Sequence, residues 1–516
     1  MEEQRPSGIE QISQADWERT LASVKTVVET LVERMHQWET QVRQLQSQVE
    51  QLEAENQLLR EQVNRISANS SQPPSQAPPS GFKPSQKTKS GKKRGAQSGH
   101  EGHERRLYSL EQCDRVTDYY LETCWYCEAP LQGEDPVPYR HQVVEIPPVK
   151  LQLKEHRFHQ LTCACCGAAT RALHPDVLAQ GGYGERVVAH VGLLSSVYRH
   201  SHRTVQRALQ DMFGVEILLG SINQLRQEVS AAVAEPVAEV GRYVKQHPVV
   251  GADETSFEQR NADGQNPQHR QGWLWVVVTL LVTFFQVLLS RSQAAAQVVL
   301  GSSFNGTVIS DRHGAYTWLD LTQRQVCWAH LKRDFTQIAE RTGVCGELGQ
   351  ALLEQEKQLF ELWYQVRDST LNRAQFRLAV APIRASVKAL LTEATNYPVG
   401  AKEKTPWAKT VRTCQNLLNL EPALWLFVTL EGVEPTNNAA ERAIRPAVLW
   451  RRTSFGSQSA GGSIFVARLL TVVTTLQAQK RDVLDYLTQA CRAALAGQPA
   501  PSLLPLPQSP QAGSSS

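Results

Sequence analysis

From Gly272 to Ser290 the chain reads GWLWVVVTLLVTFFQVLLS and carries no formal charge. A stretch of that length must leave water, either across a bilayer or inside a protein core. Its composition favours the core. Val, Thr, Trp and Phe dominate it, and these side chains fit a pleated sheet. Gln286 interrupts the run, and Thr279 and Thr283 flank a plausible hairpin tip. Strands covered on both faces read as continuous apolar runs. Two strands are therefore predicted, about Trp273–Leu280 and Thr283–Leu289. Arg270 and Arg291 bracket the run symmetrically, so no positive-inside bias orients a span and no membrane association is expected.

A chain of 516 residues implies roughly three or four folding units. Hydrophobic content of 41% and charged content of 20% are those of a soluble protein, and its strand and helix patterns make it a multidomain α/β chain. The net charge is only +3, so affinity for nucleic acid must come from local basic patches. The polar N-terminus carries no apolar run, so no secretory signal is expected. Four of the 10 cysteines stand in two C-x-x-C pairs, a pattern of reduced thiols and metal rather than disulfides.

Between residues 17 and 66 apolar side chains alternate spacings of four and three: Trp17, Leu21, Val24, Val28, Leu31, Met35, Trp38, Val42, Leu45, Val49, Leu52, Asn56, Leu59, Val63 and Ile66. This is a heptad seam, roughly 75 Å long if fully helical. Its narrow stripe predicts self-association as a coiled coil rather than one amphipathic helix folded on its own chain. Asn56 at an a position favours a parallel, in-register homodimer, and Glu55 and Arg60 are placed to pair across it. Residues 67–106 follow as a Ser/Gln/Pro-rich, then basic, linker expected to be disordered. Lys92, Lys93 and Arg94 are its DNA-backbone candidates, against the plain reading of a solvated tether.

Residues 107–175 hold Cys124, Cys127, Cys163 and Cys166, whose thiolates would present a tetrahedral shell to structural Zn2+. The stretches His141–Ile146 and Val149–Phe158 are predicted to form a hairpin between the pairs, and Cys113, Cys165, His156 and His159 are spare ligands. Residues 184–240 read as helices. One ends at Gly214 and the next starts with Ser221 as N-cap, the outline of a helix-turn-helix that would present Arg203, Arg207, Asn223 and Arg226 to DNA. A plain helical bundle gives the same outline.

Val249 and Val250 predict a short buried strand ending near Asp253, and Thr307–Ser310 a second one ending at Asp311. Alone, Asp253 reads as a loop residue, and Glu254 beside it has no assignable role. A further acid, Glu441, falls in the early turns of a helix that Thr436 or Asn437 would cap; side-chain capping is also the plainest reading of Asn437 and Asn438. Two Asp residues at neighbouring strand ends and one Glu on a later helix suit Mg2+, though spacing leaves Asp320, Glu431 and Glu434 as alternatives. Two such ions can activate an attacking oxygen and stabilise the leaving one.

Gly251-Ala-Asp253-Glu254-Thr255, Ser310-Asp311-Arg-His-Gly-Ala-Tyr316, Cys327-Trp-Ala-His330-Leu-Lys-Arg333 and Asn437-Asn-Ala-Ala-Glu441-Arg-Ala-Ile-Arg-Pro446 together resemble the IS66 family of insertion-sequence transposases. The resemblance spans about residues 99–474. It implies an RNase-H-like mixed sheet at 245–335 and 431–475, interrupted by an all-helical insertion at 336–430. It implies a DDE triad of Asp253, Asp311 and Glu441 holding Mg2+ or Mn2+, with Asp253 bridging two ions. His330 and Arg442 become phosphate-facing or supporting candidates, although His330 fits equally well as a satisfied core histidine. The implied activity is cutting transposon ends and joining the 3′-hydroxyl to target DNA, in a cytoplasmic, nucleoid-associated protein, with small accessory proteins as possible partners. A C-terminal helix at 476–496 and a disordered tail at 497–516 complete the expected organisation.

Overall fold

The computed structural model describes residues 11, 13–64, 105–179 and 181–505. The contacts expected of Lys92, Lys93 and Arg94, and the interfacial roles of Glu55, Asn56 and Arg60, lie outside the described residues and side chains. Two compact units emerge. One holds the described residues of 1–82, 238–467 and 504–516; the other holds those of 83–237 and 468–503.

The chain opens with α1 (Gln14–Arg19) and α2 (Ala22–Asn64). Ser13 caps α1 by accepting from the Asp16 amide, and Thr20 turns extended and stops it. The predicted seam is therefore broken at its start: Trp17 is buried on α1, whereas Leu21 is exposed. From Val24 to Val49 the helix runs without interruption, and most of its seam residues, Trp38 at 65% among them, are exposed.

In residues 105–174 regular structure is sparse. The strands β1 (Gln160–Thr162) and β2 (Ala169–Arg171) pair antiparallel around the second cysteine pair. The hairpin predicted from His141–Ile146 and Val149–Phe158 does not form; neither stretch lies in a strand. Val143, Ile146 and Leu153 are exposed, and a lone hairpin with no apolar surface beneath it is at best marginal. Gln142 instead bonds the backbone of Tyr108 in both directions, at 2.8 and 2.9 Å.

Helices α3 (Pro175–Ala179), α4 (Glu185–Ser195), α5 (His202–Phe213), α6 (Leu219–Ala232) and α7 (Ala234–Val244) follow. Ser201 caps α5, and Gly214 ends it with φ 70°, the left-handed turn that glycine adopts without a Cβ clash. The next helix starts earlier than predicted. Leu218 is its N-cap, in extended conformation after the irregular stretch from Gly214, and Ser221 lies inside the helix.

The larger unit is built on a five-stranded mixed sheet in the order β5-β4-β3-β6-β7. Its strands are β3 (Val249–Ser256), β4 (Trp273–Val278), β5 (Thr283–Leu288), β6 (Thr307–Ser310) and β7 (Arg324–Val326), with α8 (Gln293–Leu300) between β5 and β6. The apolar run Gly272–Ser290 is thus the β4–β5 hairpin, antiparallel to itself and to β3. Strands β6 and β7 add in parallel on the other side.

After β7 come α9 (Trp328–Ala339), α10 (Val344–Arg367), α11 (Arg373–Thr395), α12 (Pro406–Asn419) and the short α13 (Leu426–Thr429), an all-helical insertion. Its core joins that of the sheet through Trp328, Phe335, Trp363, Phe376 and Phe427, all buried. Each such aromatic contributes about 1.5–3 kcal/mol by leaving water. Trp328 also donates from Nε1 to the Leu424 carbonyl at 2.7 Å, fixing α9 against the end of the insertion.

The chain returns through α14 (Asn438–Ser454), α15 (Ala460–Ala478) and α16 (Val483–Leu495). Among the described residues α15 has the length and hydropathy to cross a membrane, but 61% of that window is buried inside the protein. In the smaller unit α16 packs on α4 and α6. The tail beyond α16 departs from expectation, since residues 497–505 are ordered. Leu503 is buried, and Pro501 and Leu503 accept bonds from Tyr486 and Gln479 at 2.6 and 2.8 Å.

Candidate active site and potential metal ligands

Strand β3 does not end before Asp253. Pairing with β4 runs on to Ser256, with Asp253 opposite Val276 and Glu254 opposite Trp275. What ends near Asp253 is the parallel pairing with β6, whose last partner is Gly251. Asp311 follows β6 directly. Asp253 is therefore a mid-strand residue at a notch in the sheet. Its carboxyl is held well above the usual range, first by burial, then by Glu254 and Asp311, and more weakly by Glu441. Asp311 and Glu441 thus both bear on Asp253, although the oxygens of the three acids do not form a group within 4.8 Å.

Helix α14 brings Glu441 to this notch through contacts made near its two ends. Asn437 does not cap the helix with its side chain. Its Nδ2 donates to the Ala252 carbonyl on β3 at 2.7 Å, and its backbone amide donates to Cys327 Sγ at 3.1 Å. Asn438 is exposed. Near the other end Arg451 donates to Thr255 Oγ1 and to the Ser256 carbonyl, both at 2.8 Å. Gly251 makes the close approach possible, because a Cβ there would lie 2.9 Å from both Asn437 Oδ1 and Val278 Cγ2.

Glu441 is flanked by two α9 residues. Arg333 Nη2 lies 3.4 Å from its Oε2, and His330 Nδ1 lies 3.5 Å from its Oε1. Burial, then Arg333, pulls the His330 pKa down, so the ring is neutral at physiological pH. Both Glu441 Oε1 and His330 Nδ1 are buried without a hydrogen-bond partner. Cys327, the N-cap of α9, is buried beside them with its thiol pushed up to about 11 by desolvation. Among the described residues, Cys327, His330 and Glu441 form a group whose donor atoms all lie within 4.8 Å of one another. Arg442, by contrast, is exposed.

Glu254, without a role in the sequence reading, is a buried ion-pair centre. Arg291 Nε donates to its Oε1 at 2.8 Å and Tyr316 Oη to its Oε2 at 2.5 Å. Arg291 Nη2 also stands 3.9 Å from Asp311. The arginine that flanks the apolar run thus links Glu254 to Asp311. The sequence marks Arg291 only as a flank of the apolar run and Arg333 only as the last residue of a motif, and gives neither a role at the site.

The remaining predicted residues separate. Arg203, Arg207 and Asn223 are exposed, and the first two line an open groove between α5 and the start of α6 with Gln206, Gln210 and Leu219. Arg226 is not presented outward in the same way: its Nη1 meets His202 Nε2 at 2.6 Å, a partly buried contact between α5 and α6. The cysteine pairs form matching loops. The Cys124 carbonyl accepts from the Glu128 amide, and Cys163 from Gly167, each at 2.9 Å. Backbone amides aimed at the sulfurs lower the pKa of Cys124 and Cys163, as thiolate ligation requires. The four thiols do not, however, form a group within 4.8 Å.

Comparison with known proteins agrees with the motif reading. Residues 14–106 match a family of unknown function, DUF6444. An uncharacterized protein of Sinorhizobium fredii, y4qI, is 25% identical over 422 residues, covering 76% of this chain and 74% of its own. Residues 180–464, which include the sheet, the helical insertion and α14, match the model of the Transposase IS66 family. That match takes in more than half of the chain, which therefore belongs to the IS66 family of transposases.

Proposed function

We propose that this transposase binds insertion-sequence ends, cleaves them and joins the freed 3′-hydroxyl to target DNA, using Asp253, Asp311 and Glu441 as a DDE triad on an RNase-H-like sheet. The observation that carries the reading is the convergence of the three acids from β3, the end of β6 and α14, with Asp253 buried among like charges. A buried carboxyl among like charges is poorly stable without a cation, and Glu441 carries a buried oxygen with no hydrogen-bond partner. The residues thus fit Mg2+ or Mn2+. Asp253, Asp311 and Glu441 would hold such ions, whose chemistry would be to activate the attacking oxygen and stabilise the leaving one.

The protein's own contribution is positional. Asn437 and Arg451 hold α14 on β3, Arg333 and His330 orient Glu441, and Arg291 holds a positive charge beside Asp311. Arg203, Arg207 and Asn223, on the exposed side of α5 and α6, are the DNA contacts we retain with Lys92, Lys93 and Arg94. Arg226 serves the helix packing. The exposed α2 seam supports a homodimer through a coiled coil, and the matched cysteine loops support structural Zn2+ once both loops close on one ion. The protein acts on the bacterial nucleoid in the cytoplasm, with small accessory proteins as further partners and no membrane attachment.

The test is excision from a supercoiled donor plasmid carrying the element's ends, with Mg2+. Asp253→Asn, Asp311→Asn and Glu441→Gln should each abolish cleavage while leaving end binding intact. Excision surviving in all three sinks the triad.

A further inference from the structure

We propose that Cys327, His330 and Glu441 form a second metal site, selective for a thiolate-preferring divalent ion such as Zn2+, and that filling it withdraws Glu441 from the magnesium site. The ligand set stands on geometry alone; the withdrawal rests on the catalytic reading of Glu441. Cys327 is the N-cap of α9 and His330 lies three residues on, in its first turn, so both stand at the start of that helix. Glu441 arrives from the first turns of α14. All three donor atoms lie within 4.8 Å of one another.

A tetrahedral shell at zinc's usual bond lengths places its ligand atoms about 3.4 Å apart. His330 Nδ1 and Glu441 Oε1 are already 3.5 Å apart. Both atoms are buried and lack a hydrogen-bond partner, as expected of lone pairs awaiting an ion rather than of a packed core contact. One sulfur, one imidazole and one carboxylate match zinc, whereas magnesium takes oxygen ligands. An outer layer is also in place. The Asn437 amide donates to Cys327 Sγ, and Arg333 donates to the second Glu441 oxygen, contacts that orient ligands without occupying the ion's side. On binding, the Cys327 thiol would release one proton to solvent. With Oε1 on this ion and Oε2 held by Arg333, Glu441 has no free oxygen left for the magnesium site, so the two sites compete.

Cobalt(II) added to the full chain carrying Cys124→Ser, Cys127→Ser, Cys163→Ser, Cys165→Ser and Cys166→Ser, which removes the thiols of both cysteine loops, reads the site directly. We expect one equivalent to bind with a sulfur-to-cobalt charge-transfer band that zinc abolishes. Adding Cys327→Ser should remove the band, and His330→Gln should weaken binding at least tenfold while the circular dichroism stays native. No band in the parent, or a band that survives Cys327→Ser, overturns the site. Should the serine variant fail to fold, unchanged affinity in His330→Gln overturns it equally. In plasmid cleavage at fixed Mg2+, Zn2+ should inhibit the wild type at concentrations at least tenfold below those needed for Cys327→Ser. Cobalt binding without zinc inhibition refutes the competition while the ligand set stands; cleavage by Glu441→Gln tests the magnesium reading separately.

Discussion

Replacing Glu254 with alanine tests whether the acid beside Asp253 organises the site. Its carboxylate is almost fully buried and accepts from Arg291 and from Tyr316, whose ring is also buried. Truncation leaves the Tyr316 hydroxyl without that acceptor, at about 1–3 kcal/mol for a buried unsatisfied group. Arg291 is partly exposed, so water recovers much of its charge and the ion pair adds only about 1 kcal/mol. The sum is about 3 kcal/mol. Glu254→Gln keeps an acceptor for Tyr316 and loses only the charge assistance, about 1 kcal/mol. Either substitution also removes a negative neighbour of Asp253, which offsets part of the loss in both.

Two units make a single unfolding free energy ill-defined, so the measurement should be local. Hydrogen exchange read by mass spectrometry on peptides from β3 and β4 provides it. In Glu254→Ala, about 3 kcal/mol corresponds to roughly a hundredfold loss of protection there, and Glu254→Gln should lose less than tenfold. Cleavage should fall in the same order, because Arg291 loses the partner that holds it near Asp311. Protection of β3 in the alanine variant within threefold of wild type would refute the argument, since it would mean that the buried pair contributes nothing.

Three further outcomes follow from the geometry. Asp253 has a folded-state pKa above its unfolded value, so the native state binds the extra proton; in chelator its stabilising effect is complete below the ordinary carboxyl range and is lost as pH rises through the raised value. Melting temperature should therefore fall with rising pH, Mg2+ should restore it, and Asp253→Asn should flatten the dependence; a wild-type melting temperature that climbs with pH instead refutes this. Asn437→Ala removes the Ala252 bond, costing about 1–2 kcal/mol, and should lower cleavage at least tenfold with end binding retained; unchanged cleavage would mean α14 is positioned without it. Val42→Asp with Leu45→Lys, on the exposed seam of α2, should convert a dimer to a monomer in sedimentation velocity, and an unchanged mass would place the interface elsewhere.

What sequence discloses here is what depends on near neighbours. The β4–β5 hairpin was legible because strand propensity, an uncharged run and a polar tip all lie within Gly272–Ser290. The cysteine loops were legible for the same reason, whereas the hairpin predicted between them needed a core that the exposed Val143 and Leu153 do not supply. Glu254 was illegible because its partners are 37 and 62 residues away. Asn437 was misread as a side-chain cap because its real acceptor, the Ala252 carbonyl, lies 185 residues away. Local capping propensity is a fair guess only until tertiary structure offers a buried carbonyl that needs a donor.

The opposite fates of Asp253 and Glu254 follow from strand periodicity once the register is known. Side chains alternate faces along β3, so Gly251, Asp253 and Thr255 share one face and Glu254 takes the other. Gly251 abuts Asn437 and Ala440, and Thr255 accepts from Arg451, so that first face is the one α14 covers. Asp253 lies between these two anchors, on the side from which Glu441 comes. Glu254 points to Arg291 and Tyr316 instead. The length of β3 is what allows this. Had the strand ended at Asp253, as its sequence predicted, less of its register would tie the acid to α14. It continues because β4 pairs with it through Ser256, and β4 is long because the uncharged run has nowhere to go but the core. The run that most constrains the fold therefore also sets which of two adjacent acids faces Glu441.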